Sequence, residues 1–318
     1  MFETLVLFFI GFIILVKGAD YLIAGASSVA RYFDVSPWVI GLLIVGIGTS
    51  IPEFSITLAS LWDGSSIGVG TIIGSNSFNL LFILGLSSLM MPIAMRKDWV
   101  WEDLIVNMGV IVLAGVLFMF PVLGDSTILG LSREEGLFLI ALFVVWVIAM
   151  LKRKRAIDDV EKGDDRVFAL TVSFIMILGG LVGVFIGGKW VVDGATSIAL
   201  ILGASEKFVA LTIVGIGTSI PELTVTLRAA MKGKGSLAVG NIIGSNIFDF
   251  LGVLGVASVI REMPFDPDFT FDIVVTFAAT LLLFLSMFVG KKYVLGRWHG
   301  LFLVLTYVAY LLVVVVRG

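Results

Sequence analysis

Two decapeptides in this chain are identical: Ile44 to Glu53 reads IVGIGTSIPE, and so does Ile213 to Glu222. A second block follows each. Gly70 to Gly85 reads GTIIGSNSFNLLFILG, and Gly240 to Gly255 reads GNIIGSNIFDFLGVLG. The side chains that can do chemistry lie in these blocks. Glu53 and Glu222 stand in apolar surroundings, where a carboxylate is costly unless it faces a cavity or a partner. Pro52 and Pro221 remove a backbone donor and crowd the preceding turn, while Gly48 and Gly217 loosen it, so a helix should break at each motif. A broken helix frees carbonyls, and carbonyls beside a carboxylate make an oxygen-rich cation site. Thr49, Ser50, Thr218 and Ser219 add hydroxyls. Ser75 and Asn79 are four residues apart, as are Ser245 and Asp249, which puts each pair on one helix face. The set holds three carboxylates, one amide and several hydroxyls, with no buried cation expected beside them. Oxygen ligands without sulfur or imidazole suit calcium or sodium rather than zinc or copper.

The elements that must position these residues are membrane spans. Of the 318 residues, 59% are hydrophobic and 14% charged, against about 45–50% and about 25% in soluble domains. A water-soluble surface cannot be built from that composition. Ten stretches are long and apolar enough to cross a bilayer, at roughly 4–29, 37–61, 66–92, 103–122, 134–152, 167–200, 207–230, 236–260, 271–290 and 298–316. The opening Met-Phe-Glu-Thr has no basic lead, so the first stretch is expected to be a permanent span. One charged segment, KRKRAIDDVEKGDDR from Lys152 to Arg166, divides the chain. The expected organisation is a five-helix repeat over 1–151, a cytoplasmic linker over 152–166, and a second five-helix repeat over 167–318. The decapeptides fall in the second and seventh spans, an odd number apart, so the repeats are inverted. The fold class is thus an all-α membrane protein of ten helices in two inverted repeats, the architecture of secondary transporters with a site near the midplane.

Loop charges set the orientation. With the N-terminus outside, fifteen of the 21 Lys and Arg face the cytoplasm and four face outward. The net charge of −3 argues against a nucleic-acid partner. The absence of cysteine excludes disulfides and thiolate chemistry, and the lone His299 excludes a multi-histidine metal centre.

GTSIPE with GSNSFN, then GTSIPE with GSNIFD, resemble the paired alpha-repeats of the cation/calcium exchanger superfamily, in particular prokaryotic sodium/calcium exchangers. The resemblance covers nearly the whole chain. It implies an antiporter, not an enzyme, that exchanges sodium for calcium by alternating access, with calcium and sodium bound as substrates and no cofactor. Its partners would be those ions and the lipid bilayer of the plasma membrane, and a monomer is the expectation. The resemblance assigns calcium to the Glu53 and Glu222 carboxylates with the Thr49 and Thr218 carbonyls. It assigns sodium to Ser50, Ser75, Ser219 and Ser245 with the two glutamates shared, and Gly46 and Gly215 contributing backbone. It lines the middle of the site with Asn79 and Asp249. Potassium-dependent exchangers also carry an acid at the Asp249 position and a basic, glycine-rich lead like Met231 to Gly235, which keeps potassium coupling as an alternative. The proton/calcium branch, the other alternative, has a G-N-x-x-E pattern that is absent here. A membrane hydrolase using two carboxylates, or a passive channel, would leave the duplicated Ser, Thr and Pro-Glu unexplained.

Two charge pairs lie inside apolar stretches: Lys17 with Asp20, and Lys189 with Asp193. Each reads as a local ion pair on one helix. In exchangers of this kind the first and sixth helices slide, and Gly18, Gly25, Gly187, Gly188 and Gly194 would give them smooth faces. Trp99, Trp101 and Trp298 read as interface anchors.

Overall fold

The computed structural model describes residues 2–63, 65–120, 122–123, 129–152, 167–202 and 215–317. The helices in chain order are α1 (Phe2–Tyr32), α2 (Pro37–Thr49), α3 (Ile51–Asp63), α4 (Ile67–Met90), α5 (Trp99–Met119), α6 (Arg133–Lys152) and α7 (Leu170–Ile201). A single turn at Gly215–Gly217 then precedes α8 (Ile220–Met231), α9 (Gly235–Ile260), α10 (Pro267–Ser286) and α11 (Arg297–Arg317). Among the described residues, eight helices are long and apolar enough to cross a bilayer, and α2 with α3, bent by 43°, makes a ninth. The start of the expected 207–230 span and nearly all of the 152–166 linker lie outside the described residues. The spans expected at 103–122 and 271–290 begin earlier, at Trp99 and Pro267.

The chain is helical but not purely so. Two antiparallel ladders of two residues each pair β1 (Ile93–Ala94) with β4 (Val294–Leu295), and β2 (Gly130–Leu131) with β3 (Met263–Pro264). They tie down the ends of the spans. The ladder after α4 meets the segment before α11, and the C-terminal part of α4 packs on α11. Reciprocally, the ladder after α9 meets the segment before α6, and α9 packs on α6. Each half therefore lends its last helix to the other. The centre is formed by α4 and α9, the most enclosed of the spans, with α2 and α3 against them.

Glycine spacing explains how α1 and α7 pack. Gly11, Gly18 and Gly25 recur every seventh residue on α1, as do Gly180, Gly187 and Gly194 on α7. A Cβ added at Gly18 would stand 2.7 Å from the Val184 nitrogen and 2.9 Å from the Gly180 oxygen; one at Gly180 would stand 2.6 Å from the Leu22 nitrogen. Lipid gives helices no hydrophobic drive to associate, so they join where small residues let backbones touch. This seam corrects the expected role of the glycines. Gly18, Gly25 and Gly187 are spent on joining α1 to α7, and Gly194 lies on Phe8. Gly188 alone of the five looks toward the broken span, at Ile220.

Two other expectations fail: neither local charge pair forms, and Trp99 is not an interface anchor. Asp20 pairs not with Lys17 but with Arg228 and Lys232, each at 2.8 Å, while Lys189 and Asp193 are both exposed, with no ion pair among the described residues. Trp99 is buried rather than at an interface. It stacks on Trp38 with ring centroids 4.3 Å apart, and Trp38 Nε1 donates to Asp103 at 2.9 Å. Trp101 and Trp298 are exposed.

Replacing Gly18 or Gly180 by Leu should force the seam apart, at a cost of about 1–3 kcal/mol or more. The measure is the thermal midpoint in detergent. Gly109→Leu, where an added Cβ meets nothing within 4 Å, should leave that midpoint nearly unchanged.

Candidate cation site

Both duplicated motifs break their helix as the Pro and Gly content requires. Ser50 interrupts the run between α2 and α3 with φ −81° and ψ 8°, and Ser219 precedes α8 with φ −89° and ψ 7°. Pro52 and Pro221 offer no N–H to the carbonyls four residues back. Thr49 ends one half-helix, where terminal carbonyls lack intrahelical partners. Glu53 and Glu222 sit in the first turn of the next half-helix, where the dipole favours an anion. The facing helices are irregular too. Both α4 and α9 widen to π-helix at the same place in the repeat, Phe78–Ile83 and Phe248–Val253, which carry Asn79 and Asp249. Single π turns recur at functional sites.

These breaks bring the expected residues together in the centre of the molecule. Glu53, Glu222, Asp249, Asn79, Ser50, Ser75, Ser219, Ser245 and Thr49 are buried, and Thr218 is half-buried. The halves face one another crosswise: the Thr218 and Ser219 hydroxyls face the Glu53 carboxylate, and Thr49 faces Glu222. Ser50 faces Asp249. Glu53 acts repulsively on both Glu222 and Asp249, and no Lys, Arg or His acts on any of the three among the described residues.

The hydrogen bonds around this centre are few, and they follow the repeat. Asn76 Nδ2 donates to Asp249 Oδ2 at 2.9 Å, and Asn79 Nδ2 donates to Asn246 Oδ1 at 3.3 Å. The two bonds join equivalent residue pairs with the halves exchanged, but the donor differs: Asn76 donates in one, and its counterpart Asn246 accepts in the other. Ser245 Oγ donates to the Gly46 carbonyl at 3.0 Å, whereas its counterpart Ser75 Oγ turns back to Ile72 at 3.1 Å. Thr49 is held by a bracket that the other half lacks. Its hydroxyl donates to Asn241 Oδ1 at 3.1 Å, and Asn241 Nδ2 donates to Thr226 at 2.9 Å. The residue equivalent to Asn241 is Thr71, whose hydroxyl bonds its own helix at Ile67.

What remains unpartnered defines the site. Ser50 Oγ, Thr218 Oγ1, Ser219 Oγ, Glu53 Oε2, both Glu222 oxygens, Asp249 Oδ1, Asn76 Oδ1 and Asn79 Oδ1 are all buried without a hydrogen bond. Buried polar atoms are ordinarily satisfied, and each orphan costs about 1–3 kcal/mol. A Ser-x-x-Glu sequence at a helix start would otherwise be a capping box, but Ser50 Oγ and Ser219 Oγ make no such bond. The atoms named are all oxygens, and three of the groups are carboxyls. That is the donor set of a hard cation. No three carboxylates, imidazoles or thiols meet at metal-binding range among the described residues, so such a cation must draw on hydroxyls, amides and carbonyls as well.

Residues 3–152 and 172–316 match the family described as sodium/calcium exchanger protein. This chain belongs to the sodium/calcium exchanger family. It is a multi-pass membrane transporter of cation/calcium antiporter type and not an enzyme. Sodium/calcium exchanger MaX1 of Methanosarcina acetivorans is 32% identical over 349 residues, covering 96% of each chain. The inner membrane protein YrbG of Escherichia coli is 37% identical over 273 residues, covering 82% of this chain and 81% of that one. A solved structure of the sodium-calcium exchanger NCX_Mj superposes with a TM-score of 0.81 at 32% identity, over 96% of this chain and 97% of that one.

Residues that the sequence reading passed over are Asn76 and Asn246, which make the crosswise amide bonds, and Asn241 with Thr226. The GSN triplet, identical in both copies, was the signal for the first two. Asn241 differs between the copies and had none.

Ser50→Ala and Ser219→Ala should leave the thermal midpoint of ion-free protein almost unmoved, since neither hydroxyl is bonded. Thr49→Val should lower it by the equivalent of about 1–3 kcal/mol, because the buried Asn241 Oδ1 loses its donor. A loss on the serine substitutions as large as a missing cap, about 1 kcal/mol, would mean that they are structural after all.

Proposed function

We propose that this exchanger moves sodium inward down its gradient and expels calcium, through ten helices in two inverted five-helix repeats. The observation that carries the reading is the convergence of buried, unpartnered oxygens on two broken helices and two π-widened ones. The crosswise contacts and the exchanged last helices support the inverted repeat. The proposed orientation, from the loop charges, puts the N-terminus outside and the linker in the cytoplasm, with the plasma membrane as the location.

In this reading calcium lies between the Glu53 and Glu222 carboxylates with the Thr49 and Thr218 carbonyls. Sodium ions take sites at Ser50, Ser75, Ser219 and Ser245 that share the glutamates, and Asn79 and Asp249 line the middle. The two ion sets compete because they share charge. Either set offsets the anionic centre. Without one, the centre cannot cross the apolar barrier, and that restriction couples the two fluxes. A single divalent ion needs both glutamates to replace its hydration shell.

Calcium uptake into sealed vesicles loaded with sodium, potassium or neither, at fixed pH, tests the reading. Uptake should require internal sodium. Glu53→Gln and Glu222→Gln should each reduce it by more than about tenfold, a change of about 1.4 kcal/mol or more, while the folded protein persists in gel filtration. Near-normal uptake by either variant would remove that glutamate from the site.

A second reading, potassium coupling, has one observation in its favour: Asp249 supplies a third buried carboxylate with an unpartnered oxygen. The basic lead does not add to it, since Lys232 is engaged by Asp20 and Lys234 by Ser27. Asp249→Asn should be tolerated, because Asn79 already places an amide at the equivalent position, and potassium should not change the rate. Calcium flux that requires potassium in the native protein and loses the requirement in Asp249→Asn would establish the second reading instead.

A further inference from the structure

One buried side chain ties together three elements on one side of the ion centre. Asn241 of α9 accepts from the Thr49 hydroxyl at 3.1 Å and donates to Thr226 at 2.9 Å. Thr49 ends α2, and Thr226 lies one turn beyond Glu222 on α8. All three residues are fully buried. Neighbouring contacts fix which side this is. Phe168, just past the linker, donates its N–H to Ser28 of α1 at 2.9 Å, and Lys234, just before α9, donates to the adjacent Ser27 at 2.8 Å. The end of α8 and the start of α9 therefore lie on the linker side. Asn241 stands one turn from Ser245 toward that start, so the tie lies between the ion centre and the linker face.

The repeat supplies the comparison. With the halves exchanged, the same three places are held by Thr71 of α4, Thr218, and Thr57 of α3. No tie joins these among the described residues. Thr71 is half-exposed, and its hydroxyl donates to Ile67 of its own helix at 2.9 Å. The Thr218 and Thr57 hydroxyls are buried without a hydrogen bond. The difference is chemical. An asparagine amide carries an acceptor and two donors in one plane, so it reaches two hydroxyls at once. Threonine has a single hydroxyl on a short stem, and within a helix it turns to the carbonyl one turn back. Opening the linker side breaks two buried bonds. Opening the opposite side breaks no equivalent of them, because Thr71 keeps its own bond either way.

We propose that Asn241 is a positioning residue that sets the sidedness of access: it holds the linker side of the ion centre closed and biases the resting protein toward access from the opposite face. This rests on the alternating-access reading above. Each of the two bonds is worth about fivefold in an equilibrium. The tie also meets the ion through Thr49, whose carbonyl is a calcium ligand in that reading, so the centre and its closure share one residue.

The chain has no cysteine, so an introduced thiol is read without background. Full-length Ser50→Cys places the reporter in the ion centre. Lys152→Cys, exposed at the end of α6, shows which membrane preparation presents the linker face. Labelling by a membrane-impermeant methanethiosulfonate is timed from each face at one fixed sodium concentration. The Ser50→Cys parent should label faster from the opposite face. Adding Asn241→Thr should raise the linker-face rate by about fivefold or more and lower the opposite-face rate. Thr226→Val, which removes one bond, should act in the same direction, and Thr226→Ser, which keeps the hydroxyl, should not. Asn241→Thr with Thr71→Asn, which moves the amide to the other half, should reverse the ratio of the two rates. A rise of equal size from both faces on Asn241→Thr would make Asn241 merely structural and overturn the proposal, as would an unchanged ratio. The measurement involves no ion flux. A Ser50→Cys parent labelled equally from both faces, or from neither, would remove the alternating-access reading and the proposal with it; a one-sided parent indifferent to Asn241→Thr would remove the proposal alone.

Discussion

Three buried carboxyl groups that repel one another when ionised, with no Lys, Arg or His offsetting them among the described residues, are the constraint on which this structure turns. Each costs roughly 3 kcal/mol or more at bilayer depth. The surroundings are shaped to tolerate that charge without neutralising it. Half-helix starts place positive dipole ends at Glu53 and Glu222, and an amide from Asn76 reaches Asp249. The remaining oxygens stay free, which is wasteful for stability and suited to a ligand that is itself a cation. A more stable protein would fill the centre with an arginine. Such a protein would bind no ion there.

The fold around this centre is built from close backbone contact. The α1–α7 seam and the packing of α2 on α9, where a Cβ at Gly240 would stand 2.6 Å from the Trp38 oxygen, both depend on residues without side chains. The broken spans are therefore gripped from the side of α4 and α9 and only lightly covered from the side of α7. The halves differ in how firmly the break is held: the Asn241 bracket fixes Thr49, and Thr218 has no equivalent. A site made of near-identical sequences is thus mechanically unequal on its two sides.

Much of this was legible in the residues. The duplicated decapeptides predicted both helix breaks, and the Pro and Gly chemistry put them at the right residues. The carboxylates were placed in the centre because nothing else justifies their presence in apolar stretches. What was missed depended on information that helical spacing does not carry. The four-residue spacing from Ser75 to Asn79 assumes a regular α-helix, and the π turn at Phe78 to Ile83 changes which residues share a face, so Asn76 was overlooked. Lys17 was matched to Asp20 because they are neighbours on a helix, but the carboxylate found a bidentate partner 208 positions away. Trp99 looked like an interface anchor by its place at a span end, yet a second indole, Trp38, was waiting to stack on it.

The exchange of final helices bears on how the chain is made. Helix α6 ends the first half in sequence, but its main packing partner is α9, and its β2 ladder is completed by β3. When the ribosome has delivered the first five spans, α6 has no settled place to go, and it must stay exposed to lipid until more than a hundred further residues have been inserted. α4 likewise waits for α11. The bilayer makes this delay tolerable, because an unpartnered apolar helix in lipid satisfies its own backbone and does not aggregate as it would in water. Neither half is a finished object until the other has been made.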